Sequence, residues 1–166
     1  MSKRRSGGTG IFLALGVGAY FALQSPGGVA GLAAGFHGHG PLPSGHAYTP
    51  VTWARAFLRY DHLPRTGCDM NAMVAWEHEE GGAWGNDADG NPLNTTQREP
   101  GSWPINSVGV QAYPSWREGF KATRTALHNG LYGGVLAALR AGDNAQAVAS
   151  AVAASRWGTK PFSADC

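Results

Sequence analysis

The segment Asp69-Met70-Asn71-Ala72-Met73-Val74-Ala75-Trp76-Glu77-His78-Glu79-Glu80-Gly81-Gly82 opens on a capping aspartate and closes on glycine. Met70, Met73 and Val74 recur at helical spacing, so a helix ending at Gly81 is expected. On a wheel of about 100° per residue, Glu77 and Glu80 fall on the side of that apolar stripe, and Glu79 falls opposite it, toward solvent. A carboxyl group on an apolar face is costly to ionise, which raises its pKa. Glu80 also occupies the last turn, where the negative end of the helix dipole disfavours a further negative charge. Both effects favour a carboxyl group that keeps its proton near neutral pH, the state a general acid requires. Structural glutamates paired to arginine satisfy the same spacing, so both readings stay open at this point.

Helical signals lie on either side. Thr49-Pro50 is a cap followed by proline at the first helical position, and Val51, Ala54, Phe57, Leu58 and Asp61 continue with helical period. Ser115-Trp116-Arg117-Glu118 is a capping box opening a helix to about His128, stopped by Asn129-Gly130. Leu131–Arg140, closed by Gly142, and Asn144–Ser155, capped by Asp143, complete the series. Between Gly82 and Pro114 the period is lost and Asn, Asp, Gly, Pro and Thr dominate. A stretch of about thirty such residues is long for a structureless loop, so a functional insert or a short hairpin is expected. Residues 49–166 therefore read as one mainly α domain with a small irregular or β insert beside its cleft.

The beginning of the chain has a different character. Lys3-Arg4-Arg5 precedes the uncharged run Ile11–Leu23. A basic region before a short apolar run is the pattern of a secretory signal. Extending the run to Ala34 reaches the length of a spanning helix, interrupted at Gln24-Ser25-Pro26-Gly27-Gly28. Residues 1–34 are thus a signal peptide or an uncleaved anchor that holds the protein to a membrane through residues 11–34. Residues 35–48, rich in Gly, Pro and His, are expected to be a linker, with His37, His39 and His46 read as solvated linker residues in preference to a weak metal site. The net charge of +2 arises at the extreme N-terminus, since the chain beyond residue 48 holds ten basic and eleven acidic residues. That body has no basic excess for a nucleic acid, and none is expected as a partner. An exported chain is oxidised, so Cys68 and Cys166 are expected to pair, closing a loop of about 100 residues.

Glu80-Gly81-Gly82 followed by Ser107-Val108-Gly109-Val110-Gln111 resembles the paired motifs of soluble lytic transglycosylases and goose-type lysozymes. Gly81 stands where serine is common in those families, and Val110-Gln111 stands for their Leu-Met-Gln segment. Asn91-Pro92-Leu93-Asn94-Thr95-Thr96 and the late Trp157-Gly158-Thr159 look like lysozyme-like domains of actinobacteria and their phages. The resemblance spans about residues 49–160. It implies a lysozyme-like fold and cleavage of the β-1,4 bond between N-acetylmuramic acid and N-acetylglucosamine in peptidoglycan. Glu80 is the implied proton donor, with Glu77 the second choice. In a lytic transglycosylase one glutamate serves as acid and then base, while a hydrolase usually adds a second carboxylate. Asp87 and Asp89 are the acids of the insert before Glu99, and Asp87-Ala88-Asp89-Gly90-Asn91 reads as a turn. Ser107 and Gln111 are implied beside the scissile sugar. Asn94, Thr95 and Thr96 offer amide and hydroxyl groups to N-acetyl groups, and Tyr113 and Trp157 offer faces for sugar rings.

Other chemistries lack their signatures. His78 has no H-E-x-x-H spacing, the Asp87–Asn91 turn lacks the remaining calcium ligands, and no G-x-S-x-G or phosphate-binding loop occurs. No metal or cofactor is expected. The expected setting is extracytoplasmic, secreted or membrane-anchored, with a place in a virion as a variant. A non-catalytic wall-binding or structural component of lysozyme-like fold is the alternative from another class.

Overall fold

The computed structural model describes residues 48–166. The signal or anchor expected over 1–34, and all of the 35–48 linker except Tyr48, lie outside the described residues. Five helices, α1 (Pro50–Tyr60), α2 (Gly67–Glu80), α3 (Trp116–Leu127), α4 (Gly133–Ala141) and α5 (Ala145–Ala153), make the described part mainly α. Among the described residues no helix is long and apolar enough to cross a membrane.

Four of the five helices start where a side chain satisfies orphan amides, and α4, preceded by Tyr132, starts without one. Thr49 and Thr52 form a reciprocal capping box at α1, with Pro50 at its first position. Ser115 caps α3 by accepting from the Glu118 amide, and its hydroxyl donates to the Glu118 carboxylate. The fourth helix begins at Gly133 and not at Leu131, and two expected caps move. Thr66, not Asp69, caps α2: its hydroxyl accepts from the Asp69 amide and donates to the Asp69 carboxylate. Both residues are good caps, and their mutual bonds place Asp69 at the third helical position instead. At α5 the cap is Asn144, whose Oδ1 accepts from the Ala147 amide at 2.9 Å, and not Asp143.

The core lies between the helices. Trp53, Phe57 and Leu58 of α1 meet Met73 and Trp76 of α2, with Phe120 and Leu127 of α3 and the apolar faces of α4 and α5 closing it. α2 packs against both α1 and α5, so it runs through the centre. Fully burying a side chain such as Phe57 or Met73 contributes about 1.5–3 kcal/mol. Cys68, at the start of α2, is joined to Cys166 by a disulfide, as expected. The bond draws the final segment along α2, where Asn71 Nδ2 donates to the Asp165 carbonyl and Ala164 is buried.

The insert is irregular except for a minimal hairpin. β1 (Trp103–Pro104) and β2 (Gln111–Ala112) pair antiparallel, Trp103 opposite Ala112 and Pro104 opposite Gln111. Backbone bonds from Tyr113 to Asp89 (2.8 Å) and from Gln111 to Thr95 (3.2 Å) tie it to the 86–95 turns.

Candidate functional site

α2 terminates at Gly81, which adopts the left-handed conformation (φ 62°) and returns its amide to the Glu77 carbonyl. The turn through 91–95 packs on that end. Asn91 is its fully buried hub: Nδ2 donates to the carbonyls of Thr95 (2.9 Å) and Gln111 (2.6 Å), and Oδ1 accepts from the Thr95 amide (2.9 Å). Asn94, held at φ 50°, points Nδ2 at the Glu80 carbonyl, 2.5 Å away, and Oδ1 accepts from Asn86 at 3.1 Å. The expected ligand amide of Asn94 therefore caps the helix carrying Glu80.

The Glu80 side chain is half-buried, and its Oε1 accepts from the Thr159 hydroxyl at 2.5 Å. Thr159 in turn accepts from Trp76 Nε1 at 3.1 Å. The indole thus sets the hydroxyl, and the hydroxyl sets the carboxyl. Burial pushes the Glu80 pKa above the usual carboxylate range; hydrogen bonds from Thr159 and Trp76 pull the other way, and the charge of Glu79 adds to the rise. Glu77, one turn earlier, is 2% exposed, and neither carboxylate oxygen has a hydrogen-bond partner. Burial alone pushes its pKa up to about 9. Arginine pairing, one reading of these two spacings, is seen at neither residue among the described residues.

A groove of about 540 Å³ runs beside this end of α2, lined in part by Asn94, Thr95, Thr96, Asn129, Tyr132 and Trp157. Glu80 does not line it directly, and Asn94 connects the two. Trp157 is wedged edge-on to Trp76 (4.9 Å between ring centres) and Tyr132 (5.1 Å), with Nε1 donating to the Leu93 carbonyl at 2.9 Å. Its ring forms part of the groove wall. Thr96 is exposed there, whereas Thr95 is buried and its hydroxyl accepts from the Gln97 amide.

The other expected contacts are placed differently. Gln111 is buried, with Nε2 donating to the Gly109 carbonyl and Oε1 accepting from Ser102. Its amide braces the hairpin, and the residue does not line the groove. Tyr113 is also fully buried and its hydroxyl donates to the Gln97 carbonyl at 2.6 Å, so its ring offers no exposed face. Ser107 is exposed in the turn between β1 and β2 and does not line the groove. Asp87 and Asp89 lie in successive turns.

Two partners of Glu80 were not assigned a role from sequence. Trp76 reads as core because of its helical position, and Thr159 reads only as part of a short motif. Seventy-nine residues separate Thr159 from Glu80, and only the folded chain brings them together. Among the described residues no three histidine, cysteine or acidic side chains are grouped to hold a metal ion. Comparison of the chain with protein-family models, with curated proteins and with solved structures finds no match in any of the three.

Proposed function

We propose that residues 49–166 are a lysozyme-like domain that cleaves peptidoglycan glycan strands at the β-1,4 bond between N-acetylmuramic acid and N-acetylglucosamine, with Glu80 as proton donor. One observation supports this above the others: a half-buried carboxyl group at a helix end, raised in pKa and aimed by Thr159, beside a polar groove walled by Trp157. Glu80 delivers its proton to the glycosidic oxygen as the bond to the anomeric carbon breaks. The resulting carboxylate then removes a proton from the attacking hydroxyl. In transglycosylation that hydroxyl is the C6 group of the muramic acid, and a 1,6-anhydro end forms without a second carboxylate. In hydrolysis it is water. Thr96 and Asn129 supply polar groups along the groove, and Trp157 supplies an apolar wall for a ring face.

The disulfide is consistent with an oxidising, extracytoplasmic setting, with the protein secreted or held by its N-terminus. The test is digestion of purified sacculi. The parent chain is expected to release soluble muropeptides, whose mass separates anhydro ends from reducing ends by one water. Glu80→Gln should release none while keeping its circular dichroism. Unchanged release by that variant overturns the assignment, and binding without release by the parent chain identifies a non-catalytic wall component.

A further inference from the structure

A second concavity, of about 640 Å³, lies on the outer face of α1 and shares no residue with the groove beside Glu80. Its floor is aromatic: Tyr48 and Tyr60 both pack against Phe120, at 5.6 and 5.7 Å between ring centres. Its rim is cationic. Arg55 and Arg59, one turn apart on α1, and Arg65 in the following loop are all exposed and line it. None of the three forms an ion pair with a described residue. Arg55 and Arg65 also border the adjoining hollow with Thr66, so the positive rim continues past the concavity. The chain beyond residue 48 carries one more acid than base, so three unpaired arginines on one face are a local asymmetry and not a general excess.

We propose that this face docks on the phosphate headgroups of an anionic membrane. Guanidinium groups recognise phosphate oxygens through paired hydrogen bonds, and tyrosine rings with polar tips suit the headgroup level of a bilayer. The position of the face in the chain selects a membrane over other polyanions. Tyr48, the first described residue, is part of the floor. Only the thirteen residues 35–47 separate it from the end of the apolar stretch 11–34. Thirteen residues reach at most about 45 Å even fully extended, so in a chain anchored through residues 11–34 the face that includes Tyr48 stays within reach of the lipid surface. The proposal rests on residues 11–34 entering a bilayer. It does not rest on the glycan-cleaving reading.

The test uses the full chain reconstituted into vesicles of phosphatidylcholine alone or mixed with phosphatidylglycerol. Phenylglyoxal modifies accessible guanidinium groups, and peptide mass spectrometry gives a rate for each arginine. In anionic vesicles modification of Arg55, Arg59 and Arg65 should slow by about fivefold each, the factor equivalent to about 1 kcal/mol per basic residue at an anionic surface. Arg140 and Arg156, exposed elsewhere, should keep their rates. The protection should vanish in about 1 M salt, where the Debye length is about 3 Å. Equal rates in the two vesicle types overturn the proposal, as does a chain that floats with neither. Equal protection by glycerol phosphate added to phosphatidylcholine vesicles also overturns it, because the face would then be a site for soluble phosphate esters. None of these outcomes changes the digestion of sacculi, so failure here is separable from failure of the catalytic reading.

Discussion

Glu77 and Glu80 stand one helical turn apart on α2, and their surroundings make them different acids. Both oxygens of Glu77 are buried without a partner, whereas Glu80 is half-exposed and held by Thr159. A buried carboxyl whose pKa moves from 4.5 to about 9 binds one proton more in the folded chain than in the unfolded one across that interval. The free energy of unfolding then falls as pH rises from about 4.5 to 9, by up to about 1.4 kcal/mol per unit from this group. Glu77→Gln removes the titration, so the variant should be more stable than the parent at pH 8, by about 2 kcal/mol or more, and closer to it at pH 5. Urea midpoints at the two pH values check this, and parallel pH slopes would refute it. Thr159→Val acts on the other carboxyl. The lost hydrogen bond had favoured the charged form, so the Glu80 pKa should rise and the alkaline limb of the pH profile for sacculus digestion should move upward. The same change leaves Trp76 Nε1 buried without its acceptor, a cost of about 1–3 kcal/mol. Thr159→Ser keeps the hydroxyl and should restore both.

At the scale of elements, the site depends on how the 91–95 turn seats on the end of α2. Gly81 and Gly82 are adjacent, yet their constraints differ. Gly81 has a left-handed backbone and open space around a would-be Cβ. Gly82 is buried, and a Cβ there would sit 2.3 Å from the Asn91 carbonyl oxygen and 2.6 Å from that of Pro92. Gly81→Ala should therefore cost about 1–2 kcal/mol in backbone strain alone. Gly82→Ala has to displace the turn itself, which should cost about 3 kcal/mol and detach Asn94 from the Glu80 carbonyl. Thermal unfolding of the two variants ranks them, and the reverse order would contradict this seating. The helix boundaries around this joint were readable in the sequence because caps act within three or four residues. Thr49-Pro50, Ser115 to Glu118 and Gly81 all stand where their spacing places them. The start of α2 was not, because Thr66 and Asp69 compete for one role and their own hydrogen bonds decide between them.

At the scale of the molecule, the Cys68–Cys166 bond joins residues 98 apart in sequence and fastens the final segment to α2. That segment carries Thr159, so the bond also serves the surroundings of Glu80. Its reduction removes a constraint across 98 residues of separation, worth at most about 4–5 kcal/mol in the chain-entropy account. Urea unfolding with and without dithiothreitol should show a lower midpoint for the reduced chain, and Cys166→Ser should match the reduced parent. Identical midpoints would mean that packing of Ala164 and the Asn71–Asp165 hydrogen bond hold the segment unaided.

The sequence by itself determined the helical character, the ends of most helices, the polar insert and the burial side of Glu77 and Glu80. Those features follow from periodicity and capping, which act over one or two turns. Only the tertiary structure decided what each polar side chain spends its hydrogen bonds on. Gln111 and Tyr113 turn inward to brace the insert, Asn94 caps α2, and Thr159 arrives from the far end of the chain to hold Glu80. Partners distant in sequence leave no local pattern, because a hydrogen bond depends on where two atoms meet and not on the residues that precede them.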